Sequence, residues 1–273
     1  MTEPEEKNPW LRLARLSEDH EENKRLWNGY QKYLLRPNEK KYQRQMENPK
    51  FAAIAELSDA EIHAIQTEIQ DLPTELDVNR IIITAGMQEI KRPLNLEGFY
   101  FAFNVSFEAT RFTASLNLEN AQFSYGAHFT GCVFEKHLWA TESNFEQNTN
   151  FVDCKFNEGS SFRSATFEMA DFRSANFEGH NNFEKARFTI VVRFEDARFS
   201  SSVCFNEAEF HASVNFNLAA APVPVVPLYF NGAKFTKSPP YFFGREMHED
   251  TDWTDVELPS AKLQAVQPRW RLE

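Results

Sequence analysis

The side chains most often used in catalysis and metal binding are scattered through this 273-residue sequence. No two histidines have the HExxH spacing, and neither the phosphate-binding GxxxxGKS/T loop nor the GxSxG nucleophile motif occurs. Only 9 glycines are available for a nucleotide-cradling loop. The histidines are His20, His63, His128, His137, His180, His211 and His248. The sequence therefore predicts no catalytic residue, no metal site and no cofactor, and indicates a protein that is not an enzyme.

Acidic residues form two groups that a ligand could use. The first lies near the C-terminus and comprises Glu246, Glu249, Asp250, Asp252, Asp255 and Glu257. It lacks the Asp-x-Asp-x-Asp-Gly order of a calcium loop, so we favour a solvated surface over a metal or partner site. The second group, each member directly after a phenylalanine, is a candidate acidic patch for a partner: Glu135, Glu146, Glu168 and Glu178. The residue before the phenylalanine is often basic, as at Arg111, Lys155, Arg187 and Arg198.

Charge and hydropathy narrow the class of protein. The net charge of -11 argues against a direct nucleic-acid ligand, whose phosphates require Lys and Arg. The N-terminal MTEPEEKNPW is acidic and unlike a secretory signal, and the longest apolar run, 218–230, is short for a membrane span and contains three prolines. Three cysteines without close pairing fit a reducing compartment, so we expect a cytoplasmic protein.

Phenylalanine reveals an internal repeat. Of 27 copies, only Phe51 precedes residue 99. Segments such as FEATRF (107–112), FVDCKF (151–156) and FEDARF (194–199) have one large apolar residue, a second five positions later, and a small residue two positions before the second. Their starts are eleven residues apart, except for one step of ten from Phe162 to Phe172.

This spacing fits neither a helix nor simple strand alternation. Four short extended stretches, two from each eleven-residue unit, would close one roughly square turn of a β-solenoid. Residues two units apart would then stack at about 4.8 Å. The large apolar residues predicted for the core include Phe107, Phe112, Phe123, Phe129, Phe134, Phe151, Phe156, Phe162, Phe167, Phe172, Phe177, Phe183, Phe188, Phe194, Phe199, Phe205 and Phe210. The small positions beside them are Thr110, Ala121, Cys132, Ser143, Cys154, Ala165, Ala175, Ala186, Ala197, Ala208 and Ala219.

These segments resemble the pentapeptide-repeat family, and in particular its phenylalanine-rich FxxAxF members. The resemblance covers roughly residues 94–258 and recurs in more than ten segments. It implies a mainly β fold, a right-handed quadrilateral β-helix. Some members of that family imitate DNA and occupy the DNA-binding saddle of gyrase, a role that requires an acidic stripe. Because acidic and basic positions alternate here, the sequence supports that role only weakly.

Cys132 and Cys154 occupy the small position in units that are one full turn apart, so we expect them to be stacked neighbours in the core. Parallel side chains one rung apart rarely reach the dihedral angle of a disulfide. The sequence therefore predicts two free, buried and unreactive thiols.

The predicted domains are a helical region at 1–80, a solenoid at 81–258 and a tail at 259–273. We expect an N-terminal cap at 78–90 with a strand at 81–83, and a tail lying across the last turn through Leu263, Val266 and Trp270. The prolines Pro222, Pro224 and Pro227 predict a loop at 221–229, a candidate partner contact, because proline cannot donate to a sheet. A second, smaller bulge is expected at 238–240.

Helices are expected before residue 80. Asn8-Pro9 begins one, Ser17-Glu18-Asp19 begins another that runs to about Leu35, and Ser58–Glu61 has the capping-box pattern. The helices would cap the solenoid, or they would form an association module. In the second case the candidate anchors are Trp10, Trp27, Tyr30 and Tyr33.

The leading hypothesis is a non-enzymatic protein-interaction scaffold, with a protein partner and with homodimerisation left open. One alternative is a DNA-mimic regulator of a topoisomerase such as gyrase. Another is the soluble part of a membrane-associated protein.

Overall fold

A computed structural model describes residues 7–36, 43–73, 83–84, 89–218 and 224–259. The helices are α1 (Pro9–Leu13), α2 (His20–Leu35), α3 (Gln43–Met46), α4 (Pro49–Ala52) and α5 (Asp59–Glu68). The strands are β1 (Ile83–Thr84), β2 (Glu89–Ile90), β3 (Leu94–Asn95), β4 (Tyr100–Phe101), β5 (Val105–Ser106), β6 (Arg111–Phe112), β7 (Leu116–Asn117), β8 (Gln122–Phe123), β9 (Ala127–His128), β10 (Val133–Phe134), β11 (Leu138–Trp139), β12 (Asn144–Asn150), β13 (Lys155–Phe156), β14 (Gly159–Ser161), β15 (Thr166–Asp171), β16 (Asn176–Phe177), β17 (His180–Asn182), β18 (Arg187–Arg193), β19 (Arg198–Phe199), β20 (Val203–Cys204), β21 (Glu209–Phe210), β22 (Val214–Asn215), β23 (Leu228–Tyr229) and β24 (Lys234–Phe235).

The strands form a parallel solenoid with four faces. Face 1 contains β1, β5, β9, β22 and the second halves of β12, β15 and β18. Face 2 is the sheet from β2 to β19, and face 3 is the sheet from β3 to β23. Face 4 contains β4, β8, β21, β24 and the first halves of β12, β15 and β18. Because those three long strands pass round a corner without a break, faces 1 and 4 belong to one sheet.

The register confirms the predicted turn of the solenoid. Phe134 pairs with Phe156, two eleven-residue units later, and Phe156 pairs in turn with Phe177. This second turn is one residue shorter than the first. The one-residue deletion lies at a corner of the solenoid. There the register between β15 and β18 shifts between Phe167 and Met169. The single ten-residue step in the sequence therefore shortens one corner and leaves the core column aligned.

The predicted phenylalanine ladder is confirmed. The phenylalanines assigned to the core from sequence are all buried, and Phe145, Phe216, Phe230 and Phe235 extend the same columns. Ring centroids of Phe129 and Phe151 are 4.7 Å apart with planes 3° from parallel. Burying a ring of this size stabilises the fold by roughly 1.5–3 kcal/mol before chain entropy is counted.

Each eleven-residue unit turns through one residue with a left-handed backbone. Glu142 has φ 58° and Lys185 has φ 59°, two positions after the first apolar residue of their units. This conformation costs most residues about 1–2 kcal/mol, yet the backbone N–H of Glu142 donates to Arg163 O at 2.9 Å in the next turn. The bond links successive turns and offsets part of that strain.

The two predicted bulges appear as changes in the spacing between rungs. The turn that joins Phe210 to its partner Phe235 is three residues longer than a regular turn. The ring of Phe216 stacks on Phe242, and this turn includes one further residue near Ser238–Pro240. Trp253 then stacks on Phe230 at 4.6 Å and continues the core column.

The helix starts agree with the expected capping residues. Asn8 caps α1 and Asp19 caps α2, and Ser58 with Glu61 forms a reciprocal capping box on α5. The short helices α3 and α4 were not predicted. Of the expected N-terminal cap at 78–90, the described strands are β1 and β2, which pair with β5 and β6. The expected strand residues Ile81 and Ile82, and the tail residues Leu263, Val266 and Trp270, lie outside the described residues.

Candidate interaction surfaces

Chemistry-bearing side chains do not converge in the described part of the chain. No group of three or more His, Cys, Asp and Glu residues could hold a metal ion in the described ranges. His20 of helix α2 contacts Glu97 O at 3.1 Å, whereas His211 contacts the Glu209 carboxylate at 3.2 Å beside face 4. No helix in the described ranges is long and apolar enough to cross a bilayer.

The two stacked cysteines are free and buried. Cys132 donates its S–H to Phe107 O at 2.8 Å, and Cys154 donates to Phe129 O at 2.9 Å, each one turn earlier. Burial raises the pKa of the Cys154 thiol well above its usual value, with the neighbouring Cys132 contributing. A protonated, enclosed thiol is a poor nucleophile, so these cysteines fill space and bond a carbonyl oxygen.

The aromatic residues considered as partner anchors are mostly enclosed within the chain. Trp10, Trp27 and Tyr30 are buried, and Tyr33 is half-buried against Tyr30. The Trp27 ring lies 5.2 Å from Phe99, at the first turn of the solenoid. Their contacts support the capping interpretation, because all four rings already have aromatic partners inside the molecule.

Helix α2 also satisfies backbone groups at the edge of strand β4. Trp27 Nε1 donates to Tyr100 O at 2.9 Å, and Tyr100 N donates to Asn28 Oδ1 at 2.7 Å. Ala102 N donates to Gln31 Oε1 at 3.2 Å. A strand edge without such partners invites further strand pairing, so α2 closes this part of the solenoid.

The four candidate glutamates do not form one patch. Glu135 and Glu178 follow strands of face 2, whereas Glu146 and Glu168 lie on face 4. Successive eleven-residue units occupy different sides of the square, which separates residues that look equivalent in sequence. Arg111 also forms an ion pair with Glu135. The predicted acidic patch is therefore wrong in its geometry.

The described prolines of the loop are exposed or half-buried, and two of the C-terminal acids make local contacts. Pro224 is exposed and Pro227 half-buried, while Pro222 lies outside the described residues. Hydrogen bonds from the Thr254 side chain and from the Thr254 backbone N–H, the latter at 2.8 Å, lower the pKa of the Asp252 carboxyl. Glu257 pairs with Lys234 at 3.3 Å on face 4.

In most eleven-residue units, a polar residue stands directly before the first large apolar residue. Its side-chain oxygen accepts the backbone N–H two residues later, which fixes the turn. Residues that make this bond are Asn95, Ser106, Asn117, Asn150, Asp171, Asn182, Asn215 and Asp252.

Trp139 departs from this pattern, as do Cys204 and Tyr229 on the same face. It pairs in register with Asn117 on face 3, but its indole has no oxygen to accept the N–H of Thr141. The residue is 38% exposed, and its ring centroid lies 4.9 Å from that of His137. A large ring has therefore replaced a turn-capping side chain and points outward, and departures of this kind tend to mark functional sites.

A shallow groove adjoins the Trp139 ring. Its volume is about 370 Å³, and it crosses the rungs of β3, β7 and β11. The residues that line it are Pro93, Leu94, Asn95, Ser115, Asn117, Glu119 and Trp139. We call this feature the Trp139 groove.

Sequence reasoning did not single out Trp139. The usable signal was the residue before each repeat segment, which is Asn, Ser or Asp in most units and tryptophan in one. That signal requires the turn-capping role to be known, and the role becomes visible only in the hydrogen bonds.

Comparisons with known proteins found a matching family model and a similar solved structure. Residues 140–187 match the family model described as pentapeptide repeats (9 copies). No curated protein sequence matches the chain. One similar solved structure is HetL, a pentapeptide repeat protein involved in heterocyst differentiation regulation from the cyanobacterium Nostoc sp. strain PCC 7120. The two share 13% identity over 74% of this chain and 94% of HetL, with a TM-score of 0.20.

This similarity to HetL is too remote to support an inference about function. The assignment of the fold is based on the strand register. The family match covers a minority of the chain. The same stacked rungs and left-handed turns extend on both sides of it, from Gly98 to Asp255. The chain therefore contains pentapeptide repeats at 140–187, and the four-faced parallel solenoid that extends on both sides of them has the fold of that repeat.

Proposed function

We propose that this chain is a non-enzymatic protein-interaction scaffold that contacts its partner through the Trp139 groove. The observation that carries the proposal is the exposed Trp139 ring beside a groove, at a position where Asn117 and Asn182 of the same face carry turn-capping side chains. Tryptophan is enriched among the residues that dominate binding energy at protein interfaces. The rigid solenoid would hold this ring in a fixed orientation, which limits the entropy lost on binding.

Other exposed apolar side chains support this surface less well. Ile190 is 51% exposed and stands at the convex corner between faces 1 and 4, where it is a single exposed apolar side chain between Thr189 and Val191. Phe243 is 82% exposed, and its carbonyl oxygen accepts the N–H of Leu218. Leu218 directly precedes residues 219–223, which lie outside the described part of the chain. Free thiols at Cys132, Cys154 and Cys204 support a cytoplasmic location for the scaffold.

A comparison of matched variants tests the proposal. Trp139→Asn restores the side chain used at Asn117 and Asn182 and removes the ring, so the fold should be retained. Immobilised wild-type and Trp139→Asn chains are exposed to a lysate of the native host, and the proteins that the wild type retains are purified whether or not the variant also retains them. At least one of these should bind wild type directly and bind the variant at least about tenfold more weakly. Equal binding to both chains by every purified partner would remove the Trp139 groove from the proposal.

A second candidate function is DNA mimicry, favoured by the corner between faces 3 and 4. That corner carries Glu97, Glu119, Glu142, Glu184 and Glu207. Arg163 lies 3.5 Å from Glu184, and Lys185 lies 3.6 Å from Glu207, so the stripe is partly neutralised towards the C-terminal end.

A supercoiling assay with purified gyrase separates the two candidates. A DNA mimic should inhibit or protect the enzyme at micromolar concentration, and Glu119→Lys combined with Glu142→Lys should weaken that effect. An absence of any effect from the wild-type chain would eliminate this second candidate and leave the scaffold proposal untouched.

A further inference from the structure

We propose that the Trp139 groove binds an arginine side chain in a basic, extended segment of the partner. This inference rests on the proposed scaffold function and adds the chemistry of the partner. It follows from three properties of the groove: an exposed indole face, a carboxylate in the lining, and hydrogen-bonding groups left without partners among the described residues.

The indole face and the carboxylate suit a guanidinium group. Trp139 and Glu119 line the same groove. A guanidinium stacks on an aromatic face by cation–π attraction and binds a carboxylate through two parallel N–H donors. Lysine offers a rounder and more strongly hydrated charge, so it would use the flat ring less well.

Charges at the Glu119 end of the groove favour a cation. The lining contains one acid and no Lys or Arg. Arg15 stands at the other end, where its guanidinium donates to the Arg92 and Pro93 carbonyl oxygens, so the cation is expected beside Glu119. Glu97 lies one rung from Glu119, and the nearby Arg163 is already 3.5 Å from Glu184. The chain as a whole carries a net charge of -11, which would also attract a basic partner from a distance.

The remaining polar groups suit the main chain of a peptide. Asn95 and Asn117 use their Oδ1 atoms to accept the N–H groups of Glu97 and Glu119. Their Nδ2 groups make no hydrogen bond within the described residues, although each can donate two. The two asparagines lie on adjacent rungs, about 4.8 Å apart, and could donate to carbonyl oxygens of an extended peptide.

Other ligand classes fit less well. A phosphate or sulfate would meet Glu119 and no cation in the lining. A saccharide could stack on Trp139 and bond the asparagines, but it would leave the negative charge of Glu119 uncompensated. We therefore favour the arginine segment and make the saccharide an outcome of the test.

Nuclear magnetic resonance of the tryptophan indole groups provides the test. The chain has 5 tryptophans, and the Trp139 indole signal is the one that disappears in Trp139→Asn. The probe is the peptide acetyl-Gly-Ser-Arg-Ser-Gly-amide, titrated into the full chain at low salt. Its matched control replaces arginine with citrulline, which has nearly the same shape and no charge.

The arginine peptide should shift the Trp139 signal with a Kd in the millimolar range, roughly 1 mM, and leave the buried Trp27 signal in place. Glu119→Gln, which keeps shape and removes charge, should weaken binding at least about fivefold, and 0.5 M NaCl should weaken it further. Unchanged melting temperatures in Glu119→Gln and Trp139→Asn would exclude unfolding as the cause.

Equal shifts from the arginine and citrulline peptides, or no shift from either, would overturn the inference. A shift produced by neutral oligosaccharides such as maltohexaose but not by the arginine peptide would also overturn it and assign a saccharide site. A partner that requires Trp139 in the retention experiment would still uphold the scaffold proposal after either result.

Discussion

The solenoid and its helical cap are stabilised in different ways. In the solenoid, each turn repeats the contacts of the turn before, as when Phe151 stacks on Phe129 at 4.7 Å and on Phe172 at 5.0 Å. In the cap, each contact occurs once. Trp27 packs between Trp10 and Phe99 at centroid distances of 5.4 and 5.2 Å, and no other residue repeats its role in the described helices.

This difference affects how each region responds to damage. A solenoid turn contacts only its neighbours, so the loss of one ring should spread to adjacent turns and then fade. The cap depends on a few buried aromatic side chains at one end of the solenoid, so the loss of one should release the helices as a group. Substitutions in the two regions should therefore differ in how far their effects spread.

Phe188→Asp should be the most damaging change. Phe188 is buried and stacks on Phe167 at 5.4 Å and on Phe210 at 5.0 Å. The substitution removes ring packing and buries an unpaired carboxylate, so the loss should exceed about 5 kcal/mol. Hydrogen exchange should show at least two adjacent turns unfolded.

Glu184→Lys is the matched surface change in the same unit, four residues before Phe188. Glu184 forms surface ion pairs with Arg163 and Lys185, each at 3.5 Å, and such pairs contribute about 0–1 kcal/mol. Its melting temperature should therefore stay close to that of the wild type. Equal melting temperatures for the two variants would contradict the register of the core.

Trp27→Ala should release the cap and spare the distant solenoid. The change removes a fully buried ring and the hydrogen bond to Tyr100 O, for a loss of about 3–5 kcal/mol. Amides of α2 and of strand β4 should exchange faster, while those of β15 and β18 should be unchanged. Simultaneous loss of protection in all these elements would mean that cap and solenoid fold as one unit.

The two regions also differ in how far sequence reasoning reaches. The solenoid could be predicted because its core pattern recurs. The regular segments on both sides of an irregular one, such as Ala140–Phe145, still define the eleven-residue spacing. The helices could be located from Asn8, Asp19 and Ser58, whose capping roles are local.

Contacts between distant segments could not be predicted. Trp27 bonds Tyr100, 73 positions along the chain, and no period connects them. The face of the solenoid on which a given residue lies was also not predicted. Glu135 and Glu146 occupy equivalent positions in consecutive units, but they lie on faces 2 and 4 because two units complete one turn.

Glu142→Asn should stabilise the solenoid slightly. Glu142 is exposed and has φ 58°, a backbone conformation that asparagine adopts more readily than glutamate. The gain should be below about 1 kcal/mol and should appear as a small rise in the urea midpoint. Glu142→Val is the control and should lower the midpoint, because a β-branched side chain is poorly tolerated there.

Glu61 should make the cap sensitive to acid. Hydrogen bonds from the Ser58 hydroxyl and backbone, with Arg25 nearby, lower the pKa of the Glu61 carboxyl from 4.5 to about 2. Because the folded pKa is the lower one, this stabilisation is present above pH 4.5 and is lost as the pH falls towards 2.

The difference in cap stability between wild type and Glu61→Gln should therefore shrink over that interval. Glutamine retains a capping-box side chain but does not titrate. Circular dichroism of the helices as a function of pH measures the difference. A constant difference between pH 5 and pH 2 would contradict the lowered pKa.

Residue-resolved hydrogen exchange on the wild-type chain tests most directly whether the stacked turns are the stable unit. The amides of Phe151, Phe172 and Phe194 donate to Asp171, Arg193 and Asn215 in the next turn, at 2.7, 2.8 and 2.9 Å. We expect these amides to exchange slowest and with one common opening free energy, while the amides of α2 and α5 exchange faster. Helical amides that exchange as slowly as these three, or three clearly different opening energies among them, would contradict the account.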